Sequence, residues 1–477
     1  MSKLKNIIRQ LSDEDFKYIY NHLMDNSAEK SALLLKYLKE KQLSDNKIMT
    51  ELEVNSNAYY TLRSRLNEKI EEYLVTQMES PKTEILRRVA NVNELMFTKK
   101  RTIIIATLKK LEKELIDYDL SNELIIIYKS LKKLHINTSD HYHFSQLYNK
   151  HIAFNLAMDK AEDLLTTYFT KYGQYYLSND PNCVAELAML LKEIDNIANL
   201  YQSHRLFIYQ SCASIFHEIM FNPKPNNAAL LQNFEKAERI FDQYASDGNY
   251  HHLRLVFDFL RLLMAWKQND IQNNERYWDE VNYNANVFLS NFSFYTFTPL
   301  FLTIKLDTIQ SKVVALSDIL EETKMIFADF ECDTHDTAKY VSYHCYMALL
   351  YYYNDKYELA AKTINLMFNE VGLKKYPVLM VEIKTFLCVL YCLMDEYDLY
   401  VQTMSSVQRQ IRMLGRKQFD YIITINKIMK ISLTGTGRSK GTKIRMTMPK
   451  LNLSKIEHYT PLKYILLKPD LAEKLSS

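Results

Sequence analysis

Glycine is nearly absent from this chain. There are seven in 477 residues, and four of them (Gly415, Gly435, Gly437 and Gly441) lie beyond residue 414. Tight turns and bulges need residues that reach positive φ, and glycine supplies that conformation at least cost. Three glycines in the first 414 residues, with nine prolines overall, leave little material for the many reversals of a sheet protein. Helices joined by short polar turns need far fewer, so an all-α fold is expected. At 477 residues the chain also exceeds one compact core, which calls for several domains or an extended array.

Other classes are disfavoured on simple grounds. The opening "MSKLKNIIRQLSDEDFKYIY" is charged every few residues and lacks the apolar stretch of a secretory signal. No uncharged apolar run approaches the roughly 18–20 residues that cross a bilayer; "VSYHCYMALLYYY" (341–353) has only the length of a core helix. The six cysteines (Cys183, Cys212, Cys332, Cys345, Cys388 and Cys392) form no CxxC pair. Cys388 and Cys392 stand one above the other on a helix, a poor disulfide arrangement. Free thiols in a cytoplasmic protein, with no membrane contact, are expected. The net charge of +3 hides an asymmetry: residues 409–477 hold 15 Lys and Arg against 4 Asp and Glu, leaving −8 on the preceding 408. Such a tail attracts polyanions or docks on its own acidic body.

Helix starts are legible near the N-terminus. Ser12 with Asp15 forms a capping-box pattern, and Ser27, Ser44 and Ser56 each precede an apolar-periodic run. Ser80-Pro81 places proline at a first helical position. The spacing predicts helices over 3–10, 13–25, 28–41, 45–52 and 57–78, forming a domain over 1–80. A long helical segment is expected at 86–118, and further helices at 121–133, 142–155, 158–177 and 184–201. Breaks are expected at 178–182, 222–227, 246–249 and 331–337.

Spacing is most telling near the end. In "MALLYYYNDKYELAAKTINLM" (347–367), Ala348 is followed by Tyr351, Ala360, Ile364 and Met367. Forty residues on, Cys388, Tyr391, Tyr400, Met404 and Val407 repeat the offsets, and Tyr397 repeats Tyr357. Each set reads as two antiparallel helices with a turn at "NDK" or "MDE". Weaker echoes stand at 159–168 and 235–244. These residues resemble the tetratricopeptide repeat, although the family's small residue is a cysteine in the second unit and its second-helix alanine is Tyr400. The resemblance implies a right-handed α-solenoid of degenerate hairpins over 81–415, acting as a non-enzymatic scaffold for a protein or peptide partner. The packing residues would be Ala348, Tyr351, Tyr357, Ala360, Ile364, Cys388, Tyr391, Tyr397, Tyr400 and Met404.

A second resemblance lies in "LEVNSNAYYTLRSRL" (52–66). Ile48 and Leu52 supply an apolar pair and Val54 a turn plug, while Tyr59, Leu62, Leu66 and Ile70 make an inward stripe. The segment is similar to the helix-turn-helix of bacterial winged-helix and sigma-like proteins, with Glu53 where a turn glycine is usual. That resemblance implies DNA contact through residues 44–74, at Tyr60, Arg63, Arg65 and Asn67, and a transcriptional regulator as the alternative function. Residues 1–80 are close to neutral, however, and non-specific DNA affinity comes mainly from cations on phosphates.

Other constellations carry less. "TGTGRSKGTKIRMTMPK" (434–450), within a basic C-terminal segment over 416–477, lacks P-loop spacing and reads as a mobile loop. Arg438, Lys440, Lys443 and Arg445 are its candidate polyanion contacts. His141, His143 and His151, and the His251-His252 pair, lack partners at ligand spacing, so no metal is expected. No nucleophile motif or nucleotide fingerprint is present, so neither a cofactor nor catalysis is expected.

Overall fold

The computed structural model describes the chain apart from residues 1–3, 5–7, 9–10, 12, 26–27, 41–44, 78–80, 246, 286–296, 312–318, 322, 325–333, 436–438, 452, 454–455, 457–458, 469 and 477. Among the described residues every regular element is helical and none is a strand. The helices gather into two compact units, residues 1–151 and 152–477.

The first unit holds α1 (Asp13–Asp25), α2 (Glu29–Glu40), α3 (Asp45–Glu51), α4 (Ser56–Gln77), α5 (Pro81–Ala90), α6 (Val92–Thr98), α7 (Arg101–Asp117), α8 (Ser121–Leu134) and the start of α9 (Asp140–Ser178). One core cluster joins Ile19, Leu23, Leu35, Ile48, Tyr59, Leu66 and Ile70. A second joins Ile85, Val89, Ile104, Leu108, Tyr128 and Leu131. The boundary expected after residue 80 falls between the two clusters. Of the expected caps, Ser12, Ser27 and Ser44 lie outside the described residues. Ser56 is the first residue of α4 itself, and the capping is done by Asn55, whose Oδ1 accepts from the Ala58 N–H at 2.9 Å. Asparagine is at least as good a cap as serine.

The stretch 86–118 corrects the sequence reading. It is three helices, broken at Asn91 and at Lys99-Lys100, where the chain is extended. A straight helix of that length would carry its two apolar stripes apart, whereas the breaks let α5 pack on α7 in one cluster. Conversely, the two helices expected at 142–155 and 158–177 are one, α9, since nothing between Asn155 and Met158 interrupts it.

The second unit holds the remainder of α9 and α10 (Pro181–Leu200), α11 (His204–Phe221), α12 (Asn227–Gln243), α13 (Gly248–Lys267), α14 (Ile271–Tyr283), α15 (Thr298–Ser311), α16 (Thr337–Tyr353), α17 (Tyr357–Glu370), α18 (Pro377–Leu393), α19 (Tyr397–Leu414), α20 (Asp420–Thr434) and α21 (Ser439–Thr447). A 3₁₀ segment, Pro461–Leu467, and the short α22 (Leu471–Lys474) follow. Helices pack in consecutive pairs: α10 with α11, α13 with α14, α16 with α17, α18 with α19, and α20 with α21. The loop expected at 434–450 is helical over Ser439–Thr447, with Ile444 buried against its neighbours; this is a second correction.

The turns between helices explain how so few glycines suffice. Glu53, Asp119, Asn269, Asp355 and Asp395 all sit at positive φ, between 49° and 58°. At each, the next residue donates to the carbonyl five back, as in Lys356 N–H to Tyr351 O and Glu396 N–H to Tyr391 O, both at 2.9 Å. This is the Schellman closure, usually ended by glycine. Short polar side chains tolerate the left-handed region better than most. The expectation that scarce glycine means scarce positive φ is therefore corrected: Asp, Asn and Glu take the position instead.

Candidate functional site

The best-defined hairpins are α16–α17 and α18–α19. Their turns sit forty residues apart in the same geometry, with φ of 58° at both Asp355 and Asp395. Ala348, Ala360, Ile364, Cys388, Tyr391, Tyr400 and Met404 are all buried. Tyr351 and Tyr357 are half-buried. Tyr397 is set apart: 51% exposed, it faces solvent and does not pack like its counterpart Tyr357. Tyr391 accepts from Asn365 Nδ2 at 3.1 Å, and Tyr400 donates to Asn426 Oδ1 at 2.7 Å, so each ring's polar end is satisfied as it packs.

The two helices of a hairpin differ in kind. α17 and α19 bury a single stripe, such as Tyr400, Met404, Val407 and Ile411. α16 and α18 are buried on every face. A helix apolar all round must be covered all round. Part of that cover comes from the C-terminal segment: the 3₁₀ segment Pro461–Leu467 lies on α16 and α18. Leu462 and Ile465 are buried there.

Polar contacts fix this strap. Tyr352 and Tyr353 hydroxyls donate to the main-chain carbonyls of Ile465 (2.8 Å) and Tyr464 (3.0 Å). The Tyr464 hydroxyl donates to Asp307 Oδ1 at 3.1 Å, and Trp266 Nε1 holds the other oxygen at 3.0 Å. The Tyr459 ring stacks on Tyr176 with centroids 5.0 Å apart. Lys468, itself buried, donates to the Tyr352 carbonyl at 3.2 Å, and both Lys468 and Lys474 pair with Asp355. Burial alone would raise the Asp355 carboxyl. The bonds from Lys468 and Lys474 outweigh it and hold the group below the usual carboxylate range. Burial lowers Lys468 despite that partner, whereas burial's downward pull on Lys474 is overcome by its bonds to Asp355, Tyr357 and Asp470.

An open groove of about 1080 Å³ adjoins this clamp along α17 and the start of α19. Leu359, Leu366 and Leu399, between 41% and 49% exposed, line it with Tyr357 and Tyr391, and Lys362 and Glu396 stand at its rim.

In the first unit, α3 and α4 are joined through a turn at Glu53. Ile48, Leu52, Tyr59, Leu66 and Ile70 are buried, with Val54 and Leu62 against them. Glu53 takes positive φ in the glycine's place. The four candidate contacts do not converge. Tyr60, Arg63 and Asn67 share one side of α4, where the Arg63 guanidinium lies 5.7 Å and 5.9 Å from the Tyr59 and Tyr60 ring centres. Arg65 is two residues, about 200°, further round the helix. It lines a separate cleft with His22, Glu29, Lys30, Glu68 and Lys69.

Of the polyanion candidates, Arg438 lies outside the described residues. Lys443 and Arg445 are exposed on α21, and Lys440 is half-buried. His141 bonds the Lys132 carbonyl, His151 meets the Ser121 hydroxyl, and His143 packs on Phe144. His251 is exposed and His252 half-buried on α13. Among the described residues no group of His, Cys, Asp and Glu could hold a metal ion. Cys183, Cys212, Cys345, Cys388 and Cys392 are free and buried; Cys332 lies outside the described residues. No described helix is long and apolar enough to cross a membrane.

The strap is hard to find in the sequence because its polar partners Tyr352, Tyr353, Asp355 and Asp307 lie more than a hundred residues away. The one local sign is the all-round oiliness of 341–353, which demands cover on a side the hairpin cannot supply. No family model, curated protein or solved structure matches the chain.

Proposed function

We propose that the chain is a non-enzymatic scaffold that binds a protein or peptide partner through a tetratricopeptide-like array in its second unit. The observation that carries this reading is the half-apolar groove along α17 and α19, where three leucines stay exposed beside tyrosines and a mixed-charge rim. Exposed leucines clustered in one concave place, with charged edges, suit an amphipathic peptide better than a small metabolite. The forty-residue register supports the repeat-like reading, since hairpins that share turn and packing geometry stack into continuous surfaces.

Selection of a displayed random peptide library on the full chain tests this. Enriched peptides should carry apolar anchors at helical spacing and lose at least tenfold in affinity on the Leu366→Arg/Leu399→Arg double variant. No enrichment, or binding indifferent to that variant, would remove the reading.

The regulator reading keeps one supporting observation, the Schellman turn at Glu53 with the Tyr60–Arg63–Asn67 face on the following helix. Its measure is duplex DNA binding by the full chain across a salt series. Tyr60→Ala and Arg63→Glu should weaken it; Arg65→Glu, on the other side, should weaken it far less. Absence of binding at low salt would exclude it.

A further inference from the structure

The face of α16 and α18 that the strap covers has the make-up of a recognition surface rather than of plain core. Two of its tyrosine hydroxyls read main-chain carbonyls, at Tyr464 and Ile465, and so would read the same carbonyls of any segment in that path. Side-chain choice enters at the Tyr459–Tyr176 stack, at the Lys474–Asp355 pair and at two further points. Asp307, positioned by Trp266, receives a tyrosine hydroxyl, and Asp355, with Tyr357, receives a lysine four residues later. Leu462 and Ile465 fill the apolar floor. A buried lysine held by a carboxylate is a poor device for stability alone, because desolvating it consumes much of what the pair returns. It is a good device for register and selectivity. Tyrosine-rich, centrally buried, hydrogen-bonded anchors are also what protein interfaces concentrate.

We propose that this face of α16 and α18 is a docking surface for segments of the pattern Leu-x-Tyr-Ile-x-x-Lys that lie on it as a 3₁₀ helix. The chain's own residues 459–476 are its resident occupant, and a partner protein carrying the same pattern enters by displacing them. The surface is distinct from the open groove on α17 and α19, although Asp355 and Tyr357 border both. A tethered occupant enjoys an effective concentration in the millimolar range, so a free peptide competes poorly until the resident is loosened.

The probe is a fluorescent synthetic peptide of residues 459–476. A chain ended after residue 458, checked for helical circular dichroism, is expected to bind it at least tenfold more tightly than the full chain. Asp355→Lys in the shortened chain should abolish binding, and a peptide with Tyr464→Ala and Lys468→Glu should compete at least tenfold worse. A folded shortened chain that ignores the peptide, or binds it no better than the full chain, overturns the proposal. Should the shortened chain not fold, the full chain carrying Tyr464→Ala and Lys468→Glu is used instead. It must take up the wild-type peptide more tightly than the unmodified chain does, and failure to do so overturns the proposal equally.

Discussion

The hairpins α16–α17 and α18–α19 are built alike and differ in what they touch. Both end their first helix with an aspartate at φ 58°, both close with the same backbone bond, and both bury the small residue at the repeat position, Ala348 or Cys388. Yet where the first carries Tyr352 and Tyr353, the second carries Cys392 and Leu393, and although both turn aspartates are exposed, Asp355 is clamped by Lys468 and Lys474. The shared features set the fold. The two tyrosines and the clamped aspartate add, in the first hairpin, contacts with a segment far along the chain. Architecture and recognition thus occupy different positions of one repeat.

Three experiments probe how far the two hairpins are equivalent. The largest effect should be the same in both units: Ile364→Ala and Met404→Ala, at equivalent buried positions, should each cost about 2–5 kcal/mol in denaturant unfolding. Costs that differ by more than the spread of such measurements would deny the equivalence. Next, Asp355→Gly and Asp395→Gly should part company. Glycine suits φ near 58°, so Asp395→Gly should leave thermal stability within about 0.5 kcal/mol or raise it. Asp355→Gly, which leaves Lys468 buried without its carboxylate, should cost about 1–2 kcal/mol, a figure moderated by the exposure of Asp355 itself.

The smallest effect is one of pH. The Asp355 carboxyl is depressed in the folded chain, so it contributes stability above its ordinary value near pH 4, and that contribution is lost as pH falls. Protection factors of the Tyr464–Lys468 amides, taken relative to the intrinsic exchange rate at each pH, should therefore fall on acidification. Asp355→Asn should flatten that response, while the Met394–Glu396 turn follows no such dependence. An unchanged pH profile in Asp355→Asn would place the strap's attachment elsewhere.

Much of the local structure is readable from the sequence. The spans of α1 to α4 follow the apolar periods, and the turns at Asp355 and Asp395 follow from spacing alone. What escapes has non-local causes. The breaks at Asn91 and Lys99-Lys100 exist because α5 must fold back on α7, not because those residues forbid helix. The positive φ at Asp119 and Asp355 is imposed by the helix pair on either side, so composition understates it. The candidate surfaces are the least legible part: spacing groups Tyr397 with the packing residues although it faces solvent, whereas nothing local distinguishes Tyr352 and Tyr353, which carry the strap.

The strap also orders events in time. Lys468 is 113 residues downstream of Asp355. At about 5–20 residues per second, roughly 6–23 s of synthesis separate the two. From the completion of α18 at Leu393 until residues 459–476 follow, a nascent copy presents that face of α16 and α18 uncovered to whatever surrounds the ribosome. A factor that met the chain there would have first refusal of the site, and its capture would be decided during translation, not afterwards.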